Sequence, residues 1–248
     1  MTDNNTNPVK KAMVLAAGLG VRMRPITDSL PKPLIKVDGR TIIDRAIDRL
    51  EDAGIIDIVI NVHHLGDQIV DHLNQRSGLN IEFSREVDLL ETGGGVKKAL
   101  PLLGDDPFFV INGDAFWLNG PQDAIGRINQ IWDADKMDAL LLLHSTVDAY
   151  GYSGRGDFTA DPDGKLIRRH EMEVSPWLFT GVQILHPKIF EDSPEGAFSL
   201  NLLYDRAIEQ ERLYGLIHDG ELFHVGTPEG QKEAEEYLGY RYSGKERR

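Results

Sequence analysis

An apolar run that passes directly into a glycine turn, and then into a group of cations, is the most constraining feature of this 248-residue chain. The run begins at Met13, the turn carries Gly18 and Gly20, and the cations Arg22 and Lys32 follow shortly afterwards. Glycine lets a backbone approach a ligand, turn amides can point at anionic oxygens, and cations neutralise the remaining charge. The segment therefore predicts a phosphate-binding loop at the end of a buried strand, suited to a nucleoside triphosphate.

Two other glycine motifs do not fit this segment. The dinucleotide-binding fingerprint needs a third glycine where Met23 stands, and the P-loop needs a Gly-Lys-Ser/Thr ending that the chain does not contain. A plain tight turn with solvated arginines is disfavoured by Pro31 and Pro33, because prolines on both sides of Lys32 reduce its conformational freedom. For Arg24, a phosphate contact and a structural ion pair both remain open.

Composition narrows the class of protein. The length suits one large α/β domain with an insertion. A net charge of -13 argues against a surface that binds nucleic acid, and the absence of cysteine excludes disulfides and thiolate metal sites. No apolar run is long enough to span a membrane, and the polar N-terminus lacks a signal core. We expect a soluble cytoplasmic protein without nucleic-acid or membrane partners.

Strand-like and helix-like segments alternate through the first half of the chain. Ala12–Ala17 and Phe108–Ile111 are predicted strands, Arg40–Ala53 is a predicted helix, and Gly94–Leu100 is a predicted helix that ends at Pro101. This alternation is typical of an α/β fold with a mostly parallel, Rossmann-like sheet flanked by helices. Ligands of such sheets bind outside the carboxyl ends of the strands, where the glycine loop and Asp114 would both lie.

Beyond composition, the ordered motifs carry a family resemblance. The pattern L-A-A-G-x-G-x-R-M-x-P-x-T, followed by P-K-P-L, resembles the signature of sugar-1-phosphate nucleotidylyltransferases. Further matches follow in order, namely L-E-T-G-G-G from Leu90, V-I-N-G-D from Val110, G-R-G-D-F from Gly154, F-T-G-V from Phe179 and V-G-T from Val225. The resemblance implies the nucleotide-diphospho-sugar transferase fold and in-line attack of a sugar 1-phosphate on the α-phosphorus of a nucleoside triphosphate, releasing pyrophosphate.

The resemblance also suggests substrates. The combination of L-E-T-G-G-G with G-R-G-D-F is similar to the branch of the family that joins UTP and N-acetylmuramate 1-phosphate in cell-wall recycling. The alternative is transfer from GTP or dTTP to a mannose, heptose or glucose phosphate. A protein of a different class, an inactive nucleotide-sugar sensor, remains an alternative because His224 stands where the relatives have a magnesium-binding aspartate.

Site residues follow from the same matches. Arg22 is expected to clamp the leaving pyrophosphate, and Lys32 to place a positive charge between the α-phosphate and the attacking phosphate. Asp114, a carboxylate at the carboxyl end of an apolar strand, is the candidate ligand of Mg²⁺. The resemblance implies further substrate contacts from Ala16, Ala17, Gly18, Gly20, Glu91, Thr92, Gly93, Asn112, Gly113, Arg155 and Asp157.

Some of these positions have a second interpretation. Thr92 could also be the N-cap of a helix, and Arg155 and Asp157 could be charges at a hairpin edge. Lys98 matches a lysine of the family, which leaves a phosphate contact and a solvated helix face equally open.

One position departs from the family pattern. The relatives carry a second magnesium-binding aspartate two residues before Gly-Thr, where this chain has His224. Imidazole is a poorer ligand than carboxylate for Mg²⁺. His224 could therefore bind Mn²⁺, a nearby carboxylate could substitute, or Asp114 and the substrate phosphates could hold Mg²⁺ with extra water while His224 lines the site. We favour the last possibility.

The remaining expectations concern organisation. Residues 1–248 are expected to form one nucleotidyltransferase domain, with a nucleotide-binding half at about 11–149, a β-rich sugar-phosphate-binding half at about 150–238 and a frayed basic tail at 239–248. In the second half, Asp157–Ala160 and Lys165–Arg169 are predicted to pair as a hairpin. The short C-terminal end favours a monomer or a small homo-oligomer.

Overall fold

The computed structural model describes residues 8–241, which form a nine-stranded mixed sheet, two short two-stranded sheets and six α-helices, with short 3-10 turns between them. The strands are β1 (Lys11–Leu15), β2 (Lys36–Val37), β3 (Arg40–Thr41), β4 (Asp57–Val62), β5 (Asn80–Arg85), β6 (Phe108–Asn112), β7 (Ala115–Leu118), β8 (Ala139–Ser145), β9 (Phe158–Ala160), β10 (Leu166–Arg168), β11 (Trp177–Leu185), β12 (Leu213–Ile217) and β13 (Glu221–His224). The helices are α1 (Ile42–Asp52), α2 (Gly66–Leu73), α3 (Glu91–Leu103), α4 (Ala124–Ile131), α5 (Asn201–Glu209) and α6 (Pro228–Arg241).

The large sheet runs in the order β10-β9-β11-β6-β1-β4-β5, and β8 joins β11 to β12. Strands β6, β1, β4 and β5 are parallel, whereas β11 is antiparallel to β6 and β8. The predicted α/β fold with a mostly parallel sheet is confirmed, as is the hairpin of β9 and β10. Strands from both parts of the chain, before and after residue 150, therefore share one sheet.

Alternation along β1 explains why helices cover both faces of this sheet. Ala12 and Val14 face a core that includes Ile43 of α1, while Met13 faces a second core that includes Val96 of α3 and Leu203 of α5. Because successive side chains of a strand point to opposite faces, an apolar run buried on both sides is stable only between two layers of helices.

The carboxyl ends of three strands meet at one edge of the sheet. Leu15, the last residue of β1, is in register with Asn61 of β4 on one side and with Asn112 of β6 on the other. The loops that follow β1 and β6 therefore begin next to each other, and Asn61 lies beside them.

A smaller sheet brings a distant segment to the same edge. Strand β13 pairs with β7, so that His224 lies opposite Ala115, the residue after Asp114. Phe116 and Phe223 stack across this pair with ring centroids 4.7 Å apart. The sequence analysis did not predict either strand.

Three predicted helix boundaries were wrong by two residues or more, and one of them is the start of α3, which lies at Glu91 and not at Gly94. Helix α1 begins at Ile42, not Arg40, because Arg40–Thr41 pairs with β2 and the Thr41 hydroxyl accepts a hydrogen bond from Asp44 N at 3.2 Å as the N-cap. Helix α3 passes through Pro101 to Leu103, because Leu103 is buried in the core and a proline near the last turn costs one backbone hydrogen bond.

The predicted tail falls partly on a helix. Residues 239–241 belong to α6, and residues 242–248 lie outside the described range. Within residues 8–241, no helix combines the length and apolar character needed to cross a bilayer.

Candidate functional site

A cleft of about 480 Å³ opens at the edge where β1, β4 and β6 end. Eleven residues predicted as site residues line it, namely Ala16, Ala17, Gly18, Gly20, Arg22, Lys32, Glu91, Thr92, Asn112, Gly113 and Asp114. The rest of the lining comes from Leu15, Val21, Pro33, Asn61, Leu89, Ser199 and Gly226. The glycine loop and the predicted metal ligand thus belong to one cavity.

The glycine loop is shaped by Gly20. This residue has a φ of 62°, and a Cβ atom there would lie 2.9 Å from Thr27 Cγ2, so the turn favours glycine on both grounds. Its carbonyl oxygen accepts hydrogen bonds from Met23 N at 2.8 Å and from the Thr27 hydroxyl at 2.9 Å. These bonds fold the chain back so that Arg22 and Lys32 both line the cleft.

Lys32 and Asp114 form an ion pair inside the cleft. The ammonium donates to Asp114 Oδ2 at 3.0 Å, and the Lys32 side chain is only 8% exposed whereas that of Asp114 is 36% exposed. Burial opposes ionisation of Asp114, but Lys32 outweighs it, with His224 and Arg22 acting in the same direction, and the pKa of Asp114 is lowered. The carboxylate is therefore charged at neutral pH and accessible from the cleft.

His224 lies at the edge of the same group of charges. Burial lowers the pKa of the His224 imidazole, and Lys32 and Arg22 act in the same direction against the opposing effect of Asp114. A Cβ atom on Gly226 would lie 2.5 Å from His224 Nε2 and 3.3 Å from Arg22 Nη1, so these two side chains approach each other across this glycine. The imidazole is neutral at pH 7.

The start of α3 forms a second wall of the cleft. Glu91 adopts a left-handed backbone with a φ of 57°, and the amides of Gly93 and Gly94 donate to the carbonyl oxygen of Phe198 at 2.8 and 3.1 Å. The Thr92 hydroxyl accepts from Leu200 N at 2.9 Å. The interpretation of Thr92 as an N-cap is wrong, because α3 begins one residue earlier, at Glu91.

Two cations considered in the sequence analysis have other partners. Arg24 Nε lies 3.3 Å from Asp28 Oδ1 in an exposed ion pair, and the Lys98 ammonium donates to the carbonyl oxygen of Arg85. In the part of the chain that the structure describes, the cleft lining includes neither residue.

Arg155 and Asp157, the residues predicted from G-R-G-D-F, are not among the described residues that line the cleft. Asp157 Oδ2 accepts from Phe179 N at 2.8 Å, and its charge acts on the nearby His224. Arg155 is exposed, and its guanidinium makes no ion pair or hydrogen bond with another described residue.

Sequence analysis missed two buried polar residues at the site. Asn61 and Glu86 are 2% and 6% exposed, and Asn61 Nδ2 donates to Glu86 Oε1 at 2.7 Å. A signal was present for Asn61, because it is a polar residue near the end of the apolar β4, just as Asn112 ends the apolar β6. No comparable pattern marks Glu86.

Residues 11–165 match the nucleotidyl transferase family. The chain belongs to this family of enzymes. It is 42% identical over 234 residues to N-acetylmuramate alpha-1-phosphate uridylyltransferase of Caulobacter vibrioides, covering 92% of this chain and 97% of the relative. It is 39% identical to the protein of the same name from Neisseria meningitidis, covering 92% and 98%. The resemblance to nucleotidylyltransferases is confirmed.

Solved structures agree on the fold. HddC from Yersinia pseudotuberculosis, complexed with GMP-PN, is 25% identical with a TM-score of 0.73, covering 92% of this chain and 99% of that chain. UDP-glucose pyrophosphorylase complexed with UDP-glucose has a TM-score of 0.77 at 18% identity, covering 94% and 99%.

Proposed function

We propose that this enzyme transfers a uridylyl group from UTP to N-acetylmuramate 1-phosphate, releasing pyrophosphate, and that it acts in the cytoplasm in peptidoglycan recycling. The observation that carries the proposal is the similarity to two uridylyltransferases of this specificity over nearly the full length of each. The locally cationic cleft in an acidic protein supports two small anionic substrates. We propose that the protein has no nucleic-acid or membrane partners.

The reaction needs no protein nucleophile, because the sugar phosphate oxygen is already an anion. It attacks the α-phosphorus of the nucleotide, the bond to the β-phosphate oxygen breaks, and pyrophosphate leaves. The task of the protein is to bring two polyanions together and to stabilise the additional charge of the transition state. In our proposal Arg22 clamps the leaving pyrophosphate, and Lys32 places its ammonium beside the reacting phosphates.

The nucleotide is proposed to bind along the glycine loop. Amides of residues 17–20 face the phosphates, while Ala16, whose own amide donates to Asn61 Oδ1, lines the start of the loop. Residues 91–93 with Asn112 and Gly113 contact the base and sugar. Arg155 and Asp157 are proposed to contact the sugar or its carboxylate-bearing substituent, with the exposed guanidinium of Arg155 near the carboxylate of the muramate.

The side chains fit a divalent cation at Asp114. Its Oδ2 atom accepts from Lys32, whereas Oδ1 makes no hydrogen bond with another described residue. Between residues 8 and 241, no three His, Cys, Asp or Glu side chains are grouped so as to hold a metal together. We therefore propose that Asp114 is the main protein ligand of Mg²⁺, or of Mn²⁺, that phosphate oxygens and water complete the coordination, and that neutral His224 lines the site. The cation would supply charge neutralisation at the phosphates.

A matrix of substrates tests this proposal. Each of four nucleoside triphosphates is combined with N-acetylmuramate, N-acetylglucosamine, mannose and glucose 1-phosphates, and pyrophosphate release is measured. We expect the highest kcat/KM for UTP with N-acetylmuramate 1-phosphate. A preference for GTP with mannose 1-phosphate would refute the proposal.

Size-exclusion chromatography with light scattering tests our proposal that the enzyme is a monomer or a small homo-oligomer.

A further inference from the structure

The buried Asn61 side chain connects two parts of the cleft. It lies near the carboxyl end of β4 and is 2% exposed. Its Oδ1 atom accepts from the amide of Ala16, at the start of the glycine loop, at 2.8 Å. Its Nδ2 atom donates to Glu86 Oε1 at 2.7 Å. One side chain thus links the glycine loop to a buried carboxylate.

The second carboxylate oxygen of Glu86 is bonded to the segment that precedes α3. Glu86 Oε2 accepts from the amide of Leu90 at 3.0 Å, and Leu90 directly precedes Glu91 and the wall formed by α3. The Asn61–Glu86 bridge, defined as these two side chains with their bonds to Ala16 and Leu90, therefore joins both walls of the cleft.

The surroundings of the bridge are shaped to hold it. A Cβ atom on Gly95 would lie 2.8 Å from Glu86 Oε1 and 2.9 Å from Asn61 Nδ2, so the first turns of α3 leave room for the bridge only with glycine there. Glu91, next to Leu90, adopts a left-handed backbone that a non-glycine residue keeps only when its neighbours fix it.

We propose that the Asn61–Glu86 bridge is a positioning device that sets the spacing between the phosphate-binding loop and the α3 wall, and thereby the affinity for the nucleotide. The inference rests on the proposed nucleotide contacts of both walls. Asn61 and Glu86 act here as positioning residues, through Ala16 and Leu90.

The bonding pattern of the bridge permits an isosteric exchange. In Asn61→Asp, two carboxylate oxygens face each other, and in Glu86→Gln, an amide donor faces either Asn61 Nδ2 or Leu90 N. When both substitutions are combined, the new carboxylate at position 61 accepts from Ala16 N and from the new side-chain amide at position 86. The amide oxygen at position 86 then accepts from Leu90 N. All three hydrogen bonds are restored with the net charge and the side-chain volumes unchanged.

The experiment measures nucleotide Kd by calorimetry, and kcat and both KM values by pyrophosphate release, for the two single variants and the double variant. Assays use the substrate pair that the unmodified enzyme prefers, so a failure of the UTP and N-acetylmuramate proposal is seen in that enzyme alone. Each single variant is expected to weaken nucleotide binding at least about tenfold, because a buried polar group loses its partner. The sugar-phosphate KM should change much less, and the double variant should bind nucleotide more tightly than either single variant.

Tyr204→Phe is the matched control. It removes a buried hydrogen bond of 2.7 Å to Gln183 Oε1, away from the cleft lining, so it should lower the melting temperature and leave nucleotide Kd unchanged. Melting temperatures of all variants separate positioning from folding. The proposal is overturned if the single variants bind nucleotide normally, or if both KM values rise equally with the loss of stability. It is also overturned if the increase in nucleotide Kd of the double variant equals the product of the increases in the two single variants. Should a single variant fail to fold, the double variant and Gly95→Ala still decide the question through nucleotide Kd.

Discussion

Lys32 is a buried cation in the lining of the cleft. Among the residues that the structure describes, its ammonium donates to one carboxylate, that of Asp114. A lysine held in this way is already desolvated and oriented, so it interacts strongly with charge that develops nearby. This argues for a role in the transition state more than in ground-state binding.

We expect Lys32→Ala to lower kcat by about a hundredfold or more, because one preorganised donor to a developing charge contributes about 3–4 kcal/mol. Nucleotide Kd should change much less, because the charge difference arises in the transition state. Single-turnover kinetics and calorimetry measure the two quantities. Arg24→Ala is the control, since the Arg24 ion pair with Asp28 is exposed and outside the cleft lining. A Lys32→Ala enzyme with normal kcat would exclude Lys32 from the chemistry.

Asp114 and His224 can be ranked as metal ligands by substitution. Asp114→Asn should nearly abolish activity with Mg²⁺, because the amide keeps an oxygen but loses the charge that attracts a hard cation. His224→Ala should reduce activity only modestly, and His224→Asp should lower the Mg²⁺ concentration needed for half-maximal activity. Metal titrations of pyrophosphate release measure this order. Equal damage from Asp114→Asn and His224→Ala, with Mn²⁺ far better than Mg²⁺, would make His224 a metal ligand.

At the scale of elements, helix α3 shows what local signals can and cannot predict. The apolar positions of residues 94–100 predicted a helix despite its glycines, but the prediction placed its end at Pro101. The helix continues to Leu103, because burial of Leu103 outweighs the hydrogen bond lost at the proline. Strand β1 was predictable from a continuous apolar run. Strands β7 and β13 have four residues each and pair across about a hundred residues of chain, so no local pattern marks them.

At Gly95 of α3, we expect a glycine-to-alanine substitution to destabilise the protein, which is the opposite of what helix propensity alone predicts. Alanine is a better helix former than glycine by about 1 kcal/mol, but a methyl group at Gly95 would collide with Glu86 and Asn61. We expect Gly95→Ala to lower the melting temperature and to weaken nucleotide binding at least about tenfold. Gly239→Ala in α6 is the matched control. A methyl group there meets no atom within 4 Å, so stability should stay equal or rise by up to about 1 kcal/mol. If Gly95→Ala behaves like Gly239→Ala, the packing around the bridge tolerates a methyl group.

At the scale of the whole molecule, the site depends on contacts between segments that are distant in sequence. Motif order predicted that Gly18, Lys32 and Asp114 share one cleft, and the parallel strand ends explain why they do. His224 reaches this group only through the pairing of β13 with β7. Hydrophobic periodicity carries no information on such pairing. The place of His224 in the site could therefore be predicted only from the family resemblance.

Another buried histidine couples the stability of the whole fold to pH. His218 follows β12, is 4% exposed, and places Nε2 at 3.1 Å from the carbonyl oxygen of Leu118. Its Nδ1 atom is buried without a partner among residues 8–241. Burial lowers the pKa of His218 and outweighs the hydrogen bond to Leu118, which raises it. The His144 imidazole, with its ring centroid 6.0 Å away, and Arg127 also lower this pKa, whereas Asp219 raises it. The folded state therefore keeps this ring neutral at a pH where the unfolded chain is protonated.

The sign of the pH effect follows from this difference. Below about pH 6.5 the unfolded chain binds a proton that folded His218 does not, so the free energy of unfolding falls as pH falls, by up to about 1.4 kcal/mol per pH unit until the folded-state pKa is reached. Urea denaturation between pH 7.5 and 5.5 measures the slope. His218→Gln, which keeps an N–H donor for Leu118, should show a shallower slope. Part of the slope should remain, because burial also lowers the pKa values of His186 and His224. His170→Gln on the exposed loop after β10 is the control. Parallel slopes for the His218→Gln and unmodified proteins would show that protonation of His218 does not limit stability in acid.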